Sequence, residues 1–364
     1  MKIIQVTSQF PPYVGGMGIV VKEISERLIT MGHNVDIYTP DNGIKKNKIK
    51  SNSKLKINYI KSYLIAHTPF APLFFFKLLK LPKESKIVHL HIGQAFIPEI
   101  TCLACKIRGI PYVAQLHLEM APSGKVGLLL PLYKKIILRR VFKNAKKVIC
   151  LSQSHKSYVS KYYGIDINHI EVVPNGINEC YFVKSVKKKN KNLLLLFVGR
   201  LVKQKNPVRL IEAFRLIDNR NILLNVVGNG EDKLIIKNLI SKYKLNNVKI
   251  LGKKTGKELL NYYKKSDIFI LTSDYEGLPL VLLEAMASGC AIVASKIRGV
   301  EELVGNFSLL TSPLTAIEFS KNIKKLIENE KLRIHFANKG LKEARKYDWI
   351  EIVKKFEKIY TENW

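Results

Sequence analysis

Two glutamates, Glu276 and Glu284, are separated by seven residues in a segment that joins a predicted strand to a predicted helix. The apolar run Ile268–Thr272 predicts the strand, and the run Leu280–Ala287 predicts the helix. Glu276 then falls in the loop, and Glu284 about a turn and a half into the helix. Carboxylates at these two heights can accept hydrogen bonds from hydroxyl groups at the two ends of an extended ligand.

Two cations follow an earlier predicted strand, Leu193–Val198. Gly199 permits a tight exit from that strand, and Pro207 stands where a helix would begin. Arg200 and Lys205 lie between them, at the carboxyl end of the predicted sheet. A guanidinium can bind a diphosphate through two parallel hydrogen bonds, and an ammonium can bind it as a point charge. Solvated loop cations are the alternative interpretation.

A glycine-rich turn, Gly15-Gly16-Met17-Gly18, separates the first predicted strand from the first predicted helix. Glycines let the backbone approach a ligand closely, and a helix N-terminus offers unpaired N–H groups to an anion. The spacing differs from the G-x-G-x-x-G dinucleotide fingerprint. An ordinary structural turn is therefore an equal alternative.

Strand and helix patterns alternate along the chain, stop in the lysine-rich stretch Lys184–Asn192, and then restart. The candidate strands read as near-continuous apolar runs, which is typical of buried parallel strands. The sequence therefore predicts an α/β protein with two Rossmann-like domains that face each other across a cleft. We expect an N-terminal acceptor domain over residues 1–183 and a C-terminal donor domain over 192–345. The final helix, 346–364, is expected to return to the N-terminal domain.

The phrase around the two glutamates, EGLPLVLLEAMASG, resembles the family-4 retaining glycosyltransferases of GT-B fold. The upstream phrase GRLVKQK, the pair Gly15-Gly16 and the segment Pro174-Asn175-Gly176-Ile177 fit the same family. The resemblance covers nearly the whole chain. One departure occurs at Arg298-Gly299, where paired glycines are more usual.

The resemblance implies a role for each matching residue. Arg200 and Lys205 would bind the donor diphosphate, Glu284 the ribose hydroxyls, and Glu276 the hydroxyls of the transferred sugar. The N–H groups of Gly277 and Leu278 would assist. The N–H of Gly16, beside Gly15, would reach the phosphates on closure of the two domains. His117, which follows the predicted strand Tyr112–Leu116, stands where the family carries a histidine near the reacting sugar.

The implied activity is transfer of a hexosyl or N-acetylhexosaminyl unit, with retention, from a nucleotide-diphosphate sugar to an acceptor hydroxyl. A UDP-sugar is favoured as the donor. No D-x-D motif occurs, and Arg200 with Lys205 can neutralise a diphosphate, so we expect neither a metal nor another cofactor. A same-fold sugar-nucleotide epimerase, a phosphorylase-like enzyme and a non-catalytic basic binding protein are the alternatives.

The formal net charge of +32 is extreme and bears on the partners. A lysine-rich background is one interpretation; attraction to an anionic membrane or acceptor is the other. No nucleic-acid module accompanies the charge, so nucleic acid is not expected. The segment His117–Gly124 and the basic run Leu132–Val141 would border an acceptor, such as a lipid-linked sugar, a glycan or a small molecule. Scattered cysteines and the lack of a signal peptide favour a cytoplasmic location, peripheral to the membrane at most.

Overall fold

The computed structural model describes residues 1–12, 15–43, 51–65, 68–119, 128–185, 192–217 and 221–362. Two sequence predictions lie partly outside these residues: the domain linker Lys184–Asn192 and the acceptor segment His117–Gly124. The chain divides into two compact units. The first comprises Met1–Asn175 together with Trp349–Trp364, and the second comprises Gly176–Asp348.

The first unit is built on a parallel sheet of seven strands. Its strands are β1 (Lys2–Thr7), β2 (Asn34–Pro40), β3 (Leu55–Ile60), β6 (Ser85–Ile92), β7 (Tyr112–Leu116), β8 (Lys147–Cys150) and β9 (Ile170–Val172). A separate antiparallel hairpin consists of β4 (Tyr63–Ile65) and β5 (Thr68–Phe70). The sheet order is β3-β2-β1-β6-β7-β8-β9, so the order reverses between β1 and β6.

Helices connect these strands and cover the sheet. They are α1 (Gly16–Thr30), α2 (Phe74–Leu79), α3 (Ile97–Arg108), α4 (Leu130–Tyr133), a π-helical turn (Lys134–Leu138), α5 (Arg139–Asn144), α6 (Gln153–Tyr163) and the last helix, α14 (Trp349–Thr361). Within this unit α14 packs against α1. Phe356 and Tyr360 of α14 are buried, and both rings contact His89 of β6.

The second unit repeats the same plan with a parallel sheet of six strands. They are β10 (Leu193–Val198), β11 (Ile222–Val227), β12 (Val248–Gly252), β13 (Ile268–Leu271), β14 (Ala291–Ser295) and β15 (Ser308–Thr311). Its helices are α7 (Pro207–Phe214), α8 (Lys233–Lys242), α9 (Gly256–Lys265), α10 (Leu280–Ala287), α11 (Val300–Val304), α12 (Ala316–Glu328) and α13 (Glu330–Ala344). The order is β12-β11-β10-β13-β14-β15, which reverses between β10 and β13.

The prediction of two Rossmann-like domains with parallel sheets is confirmed. Residues 176–183, which the sequence assigned to the first domain, pack instead with the second unit. Their backbone groups find partners there: Ile177 N–H donates to the Tyr347 carbonyl at 2.7 Å, and Val183 N–H donates to the Ala287 carbonyl at 3.1 Å. Hydrogen bonding of the backbone therefore determines which unit this segment joins.

The basic run Leu132–Val141 does not form one continuous α-helix. It is divided among α4, the π-helical turn and α5. Lys134 is buried and forms an ion pair with Glu119 at 2.9 Å, because an interior ammonium requires a partner. Lys134 therefore cannot serve as a surface cation. Among the described residues, no helix is both long enough and apolar enough to cross a membrane.

Candidate active site

The predicted donor residues lie on two loops of the second unit, one after β10 and one after β13. These strands are neighbours, and the strand order reverses between them. Adjacent loops after such a pair lead to helices on opposite faces of the sheet and so leave a crevice at its carboxyl edge, where α/β proteins bind ligands. The topology therefore brings the loop of Arg200 and Lys205 beside the loop of Glu276.

An ion pair joins the two loops directly. Lys205 Nζ donates to Glu276 Oε1, and both side chains are largely buried, at 15% and 7% exposure. Ser273 Oγ donates to the same carboxylate oxygen at 2.6 Å. An ammonium has three N–H donors, so pairing with Glu276 leaves two of them available for phosphate oxygens.

Arg200 is more exposed and is oriented by a neighbour on its own loop. Its guanidinium donates to Gln204 Oε1 at 3.2 Å. Gln204 in turn donates through Nε2 to the Tyr275 carbonyl at 3.1 Å and accepts from Asp274 N–H, through its own carbonyl, at 2.9 Å. Gln204 thus links the Arg200 guanidinium to the loop that carries Glu276.

The start of α7 fixes the base of the first loop. Asn206, at φ +47°, accepts a hydrogen bond from Arg209 N–H at 3.1 Å and so caps the helix, while Pro207 occupies its first position. Arg209 forms an ion pair with Asp274 at 2.8 Å and donates to the Thr272 carbonyl at 2.9 Å. Thr272 Oγ1 donates back to the Lys205 carbonyl at 2.9 Å. The two loops are therefore fastened on both sides of the Lys205–Glu276 pair.

Two glycines, Gly299 and Gly230, lie where further loops pack closely against the Glu276 loop and the Arg200 loop. Gly299, at φ +78°, approaches Gly277 so closely that a Cβ would stand 1.9 Å from the Gly277 carbonyl oxygen. A Cβ on Gly230 would stand 2.2 Å from the carbonyl oxygen of Leu201. The family more usually has two glycines where this chain has Arg298 and Gly299. The one glycine present, Gly299, has the positive φ and the close contact with Gly277.

Glu284 lies on α10 and is only partly accessible to solvent. Burial raises the pKa of its carboxyl to about 7, and the hydroxyls of Tyr263 and Tyr181 oppose that shift. The two tyrosine rings meet edge to face at 5.6 Å. Near neutral pH the carboxyl is therefore close to the midpoint of its titration, and in either state it can form hydrogen bonds with hydroxyl groups.

Gly15 and Gly16 lie at the equivalent position of the first unit, after β1. Gly15 is the extended N-cap residue of α1, and Gly16 is its first helical residue. Among the described residues, a Cβ on Gly16 would meet no atom within 4 Å, whereas a Cβ on Gly18 would stand 3.1 Å from the Gln9 carbonyl oxygen. Packing among the described residues therefore explains Gly18 but not Gly16.

His117 directly follows β7 and is buried, with 8% of its surface exposed. Its backbone N–H donates to the Ile92 carbonyl at 3.0 Å, and its Nε2 lies 2.8 Å from His91 Nδ1. Burial lowers the pKa of His117 to about 3. The ring is therefore neutral at physiological pH and does not act as an ordinary imidazolium acid.

Sequence reasoning missed several residues that complete these arrangements: Gln5, His91, Tyr181, Gln204, Arg209, Gly230, Tyr263, Ser273 and Asp274. The available signal was a polar residue inside or directly after an apolar strand, as in the runs that contain Gln5 and His91. Among the described residues, no group of three or more histidine, cysteine, aspartate or glutamate side chains is arranged to hold a metal ion.

Two family models match the chain one after the other. The model described as Glycosyltransferase Family 4 matches residues 14–179, and the model described as Glycosyl transferases group 1 matches residues 181–343. Together they cover every site residue predicted from the sequence and every strand of the two sheets except β1. The chain belongs to the family-4 glycosyltransferases. The fold and the two site loops are thus those of a glycosyltransferase.

Relatives of this glycosyltransferase are similar over most of their length. An uncharacterized glycosyltransferase of Methanocaldococcus jannaschii is 28% identical, covering 99% of this chain and 98% of its own. A UDP-Gal:α-D-GlcNAc-diphosphoundecaprenol α-1,3-galactosyltransferase of Escherichia coli is 28% identical over 79% of this chain and 78% of its own. Among solved structures, Anabaena HepE in complex with UDP and glucose superposes with a TM-score of 0.77 at 18% identity, covering 100% of both chains. The last similarity concerns the fold alone.

The titration of Glu284 gives a testable dependence of stability on pH. Because burial raises the folded-state pKa from 4.5 to about 7, the folded chain keeps the proton over an interval in which the unfolded chain loses it. Stability conferred by the neutral carboxyl is therefore lost as pH rises through this interval, by up to about 3 kcal/mol at 1.4 kcal/mol per pKa unit. Relative to Glu284→Gln, the wild type should lose melting temperature between pH 5 and pH 8. The exposed Glu231→Gln serves as the charge control, and a constant difference between wild type and Glu284→Gln would contradict the assignment.

Proposed function

We propose that this glycosyltransferase moves a hexosyl or N-acetylhexosaminyl unit from a UDP-sugar to an acceptor hydroxyl, with retention of configuration. The observation that carries the proposal is the Lys205–Glu276 pair at the reversal of strand order, with Arg200 held beside it through Gln204. The E. coli relative is named for a UDP-Gal donor, and the HepE structure contains UDP, which supports the choice of base.

Each residue has a proposed role in the donor site. Lys205 and Arg200 bind the diphosphate, Glu276 binds hydroxyls of the transferred sugar, and Glu284 binds the ribose hydroxyls. The N–H groups of Gly277 and Leu278 assist at the sugar. Gly15 and Gly16 offer backbone N–H groups to an anionic ligand at the start of α1.

The chemistry requires stabilisation of negative charge on the leaving group. The bond from the anomeric carbon to the phosphate oxygen breaks, and its electron pair stays on that oxygen. The acceptor oxygen then bonds to the same face of an oxocarbenium-like sugar, and its proton passes to the departing diphosphate. Lys205 and Arg200, held in place before the reaction, stabilise the developing charge without reorganisation.

A neutral His117 positions hydroxyl groups in this scheme and donates no proton as an imidazolium. The depressed pKa of its buried ring supports that role.

The two cations, Arg200 and Lys205, can be removed one at a time. Arg200→Ala and Lys205→Ala should each lower kcat/KM about 10²- to 10³-fold, because each removes a fixed cation from the leaving group. Lys203→Ala, an exposed lysine of the same loop, is the matched control and should stay near wild type. The donor is first chosen by a thermal-shift panel of nucleotide sugars. A stabilising donor together with undiminished turnover in Arg200→Ala would contradict the assignment.

The role of metal ions can be tested by chelation. We propose metal-independent transfer, because Arg200 and Lys205 supply positive charge for the diphosphate and the sequence has no D-x-D motif. Activity should persist after dialysis against EDTA and should not rise when magnesium or manganese is added. Lasting loss in EDTA that either ion restores would overturn this proposal.

The proposed acceptor is a lipid-linked sugar, with the protein cytoplasmic and peripheral at the inner face of the membrane. The first unit exposes large apolar side chains on β4, β5, α2 and the α4 region: Tyr63, Leu64, Phe70, Leu73, Phe76, Leu128, Leu129, Leu132, Ile136 and Ile137. Phe70 packs on Phe96 at the start of α3, and the Tyr133 hydroxyl donates to Glu99 one turn later, so the same end of α3 adjoins both groups. Exposed Lys135, Arg139 and Arg140 lie beside the second group. Apolar and basic residues together suit an anionic lipid surface.

Vesicle flotation tests this surface. The wild type should float with vesicles that contain anionic phosphatidylglycerol at low salt, and less at high salt, because the basic side chains are screened. The double variant Leu132→Ser, Ile136→Ser should lose this binding. Leu234→Ser with Ile235→Ser, on α8 of the second unit, is the matched control because those side chains are also exposed. Absence of binding at low salt would exclude the membrane surface.

A further inference from the structure

A buried hydrogen-bonded chain ends at His117. His91 Nδ1 lies 2.8 Å from His117 Nε2, and His91 Nε2 lies 2.6 Å from Gln5 Oε1. The three side chains are 0% to 8% exposed. Gln5 is on β1, His91 is near the end of β6 and His117 follows β7, so three adjacent strands bring them together at the carboxyl edge of the first sheet.

The hydrogen-bond partners determine which ring nitrogen of His91 and of His117 carries the proton. Gln5 presents an amide oxygen, which can only accept, so His91 must carry its hydrogen on Nε2. A neutral His91 then has a lone pair on Nδ1, and it accepts from His117 Nε2–H. A neutral His117 consequently has its lone pair on Nδ1. The direction of both hydrogen bonds, from His117 to His91 and from His91 to Gln5, follows from the amide oxygen of Gln5.

The buried surroundings of His91 favour the neutral form of its ring. The pKa of His91 is well below its ordinary value because the ring is buried and lies near His89 and His117. His89 lies against His91 with ring centroids 3.9 Å apart, and the Tyr360 hydroxyl of α14 is 2.6 Å from His89 Nδ1. The His91 ring is therefore held in place by contacts from its own strand and, through His89, from α14.

We propose that His91 and Gln5 are positioning residues that keep His117 as the Nε2–H tautomer, so that its Nδ1 accepts a hydrogen bond from a substrate hydroxyl. The identity of that hydroxyl, on a sugar, rests on the proposed function. As positive charge builds on the sugar in an oxocarbenium-like state, its hydroxyls become more acidic. An acceptor then binds them more strongly than in the ground state, which affects kcat more than KM.

The tautomer can be measured without any assay of transfer. In the full-length protein labelled with ¹⁵N-histidine, long-range ¹H–¹⁵N spectra distinguish a protonated ring nitrogen from a bare one. His117, assigned by the loss of its signals in His117→Asn, should have a protonated Nε2 and a bare Nδ1 at neutral pH. His91→Phe removes the acceptor and should give a mixture of tautomers. A protonated Nδ1 on His117 in the wild type would overturn the proposal.

Kinetics test the consequence for transfer. His91→Phe should lower kcat about tenfold or more, with less than a twofold change in KM for the donor. His91→Asn should recover most of kcat, because its amide oxygen can accept close to the position of Nδ1. Gln5→Met tests the same chain with His91 in place and should also lower kcat. His169→Phe is the control, since His169 precedes β9 at the amino edge of the sheet and contacts the Ala145 carbonyl.

The two readouts separate two kinds of failure. A wild type that transfers no sugar but has the expected tautomer contradicts the proposed function and leaves the positioning assignment supported. Equal kcat in His91→Phe and the wild type contradicts the positioning role. A loss of kcat in His91→Phe that His91→Asn does not recover contradicts the role of His91 Nδ1 as a hydrogen-bond acceptor.

Discussion

The ion pair between Lys205 and Glu276 is the contact on which the proposed donor site depends. It joins loops that are 71 residues apart in sequence and neighbours in space only because strand order reverses between β10 and β13. Breaking a buried pair by removing one partner typically costs about 3–5 kcal/mol, because the remaining charge stays in the interior without compensation. Ser273, Gln204 and the Arg209–Asp274 pair hold the same two loops. The cation is therefore held in place before any ligand arrives.

In the first unit, the side chains at the reversal of strand order are held by a different kind of interaction. Its strand order also reverses next to β1, and polar side chains from three strands meet at the carboxyl edge. Here the rings are neutral and the order comes from directed hydrogen bonds, whereas in the second unit it comes from opposite charges. Both arrangements are largely closed to water, which makes electrostatic interactions stronger and unpaired polar groups costly.

Much of this molecule could be predicted from the sequence. The strands Leu193–Val198 and Tyr112–Leu116 and the helix Leu280–Ala287 have the predicted bounds, because buried parallel strands are nearly continuous apolar runs and the helix is flanked by turn residues. Arg200 and Lys205 follow the strand Leu193–Val198 as predicted, and the family resemblance supplied their proposed roles as donor residues. The pairing of Lys205 with Glu276 could not be read from either loop alone, since it depends on the order of strands in the folded sheet.

Other features could not be predicted, because the composition of a segment does not show which of its side chains are buried. Lys134 belongs to a run of surface-like cations, yet a π-helical turn directs it to Glu119 inside the unit. His91 and Gln5 interrupt apolar strands, and only the tertiary structure brings them to His117. The short strands β4 and β5 form a hairpin that apolar periodicity did not indicate, because three-residue strands are too brief for a pattern to develop.

The most direct test of the account is a crystal structure of the full chain with bound uridine diphosphate. We expect phosphate oxygens within hydrogen-bonding distance of Lys205 Nζ and the Arg200 guanidinium, and the ribose hydroxyls at Glu284. A diphosphate bound away from Lys205 and Arg200, with the Lys205–Glu276 pair left outside the nucleotide site, would contradict the central claim.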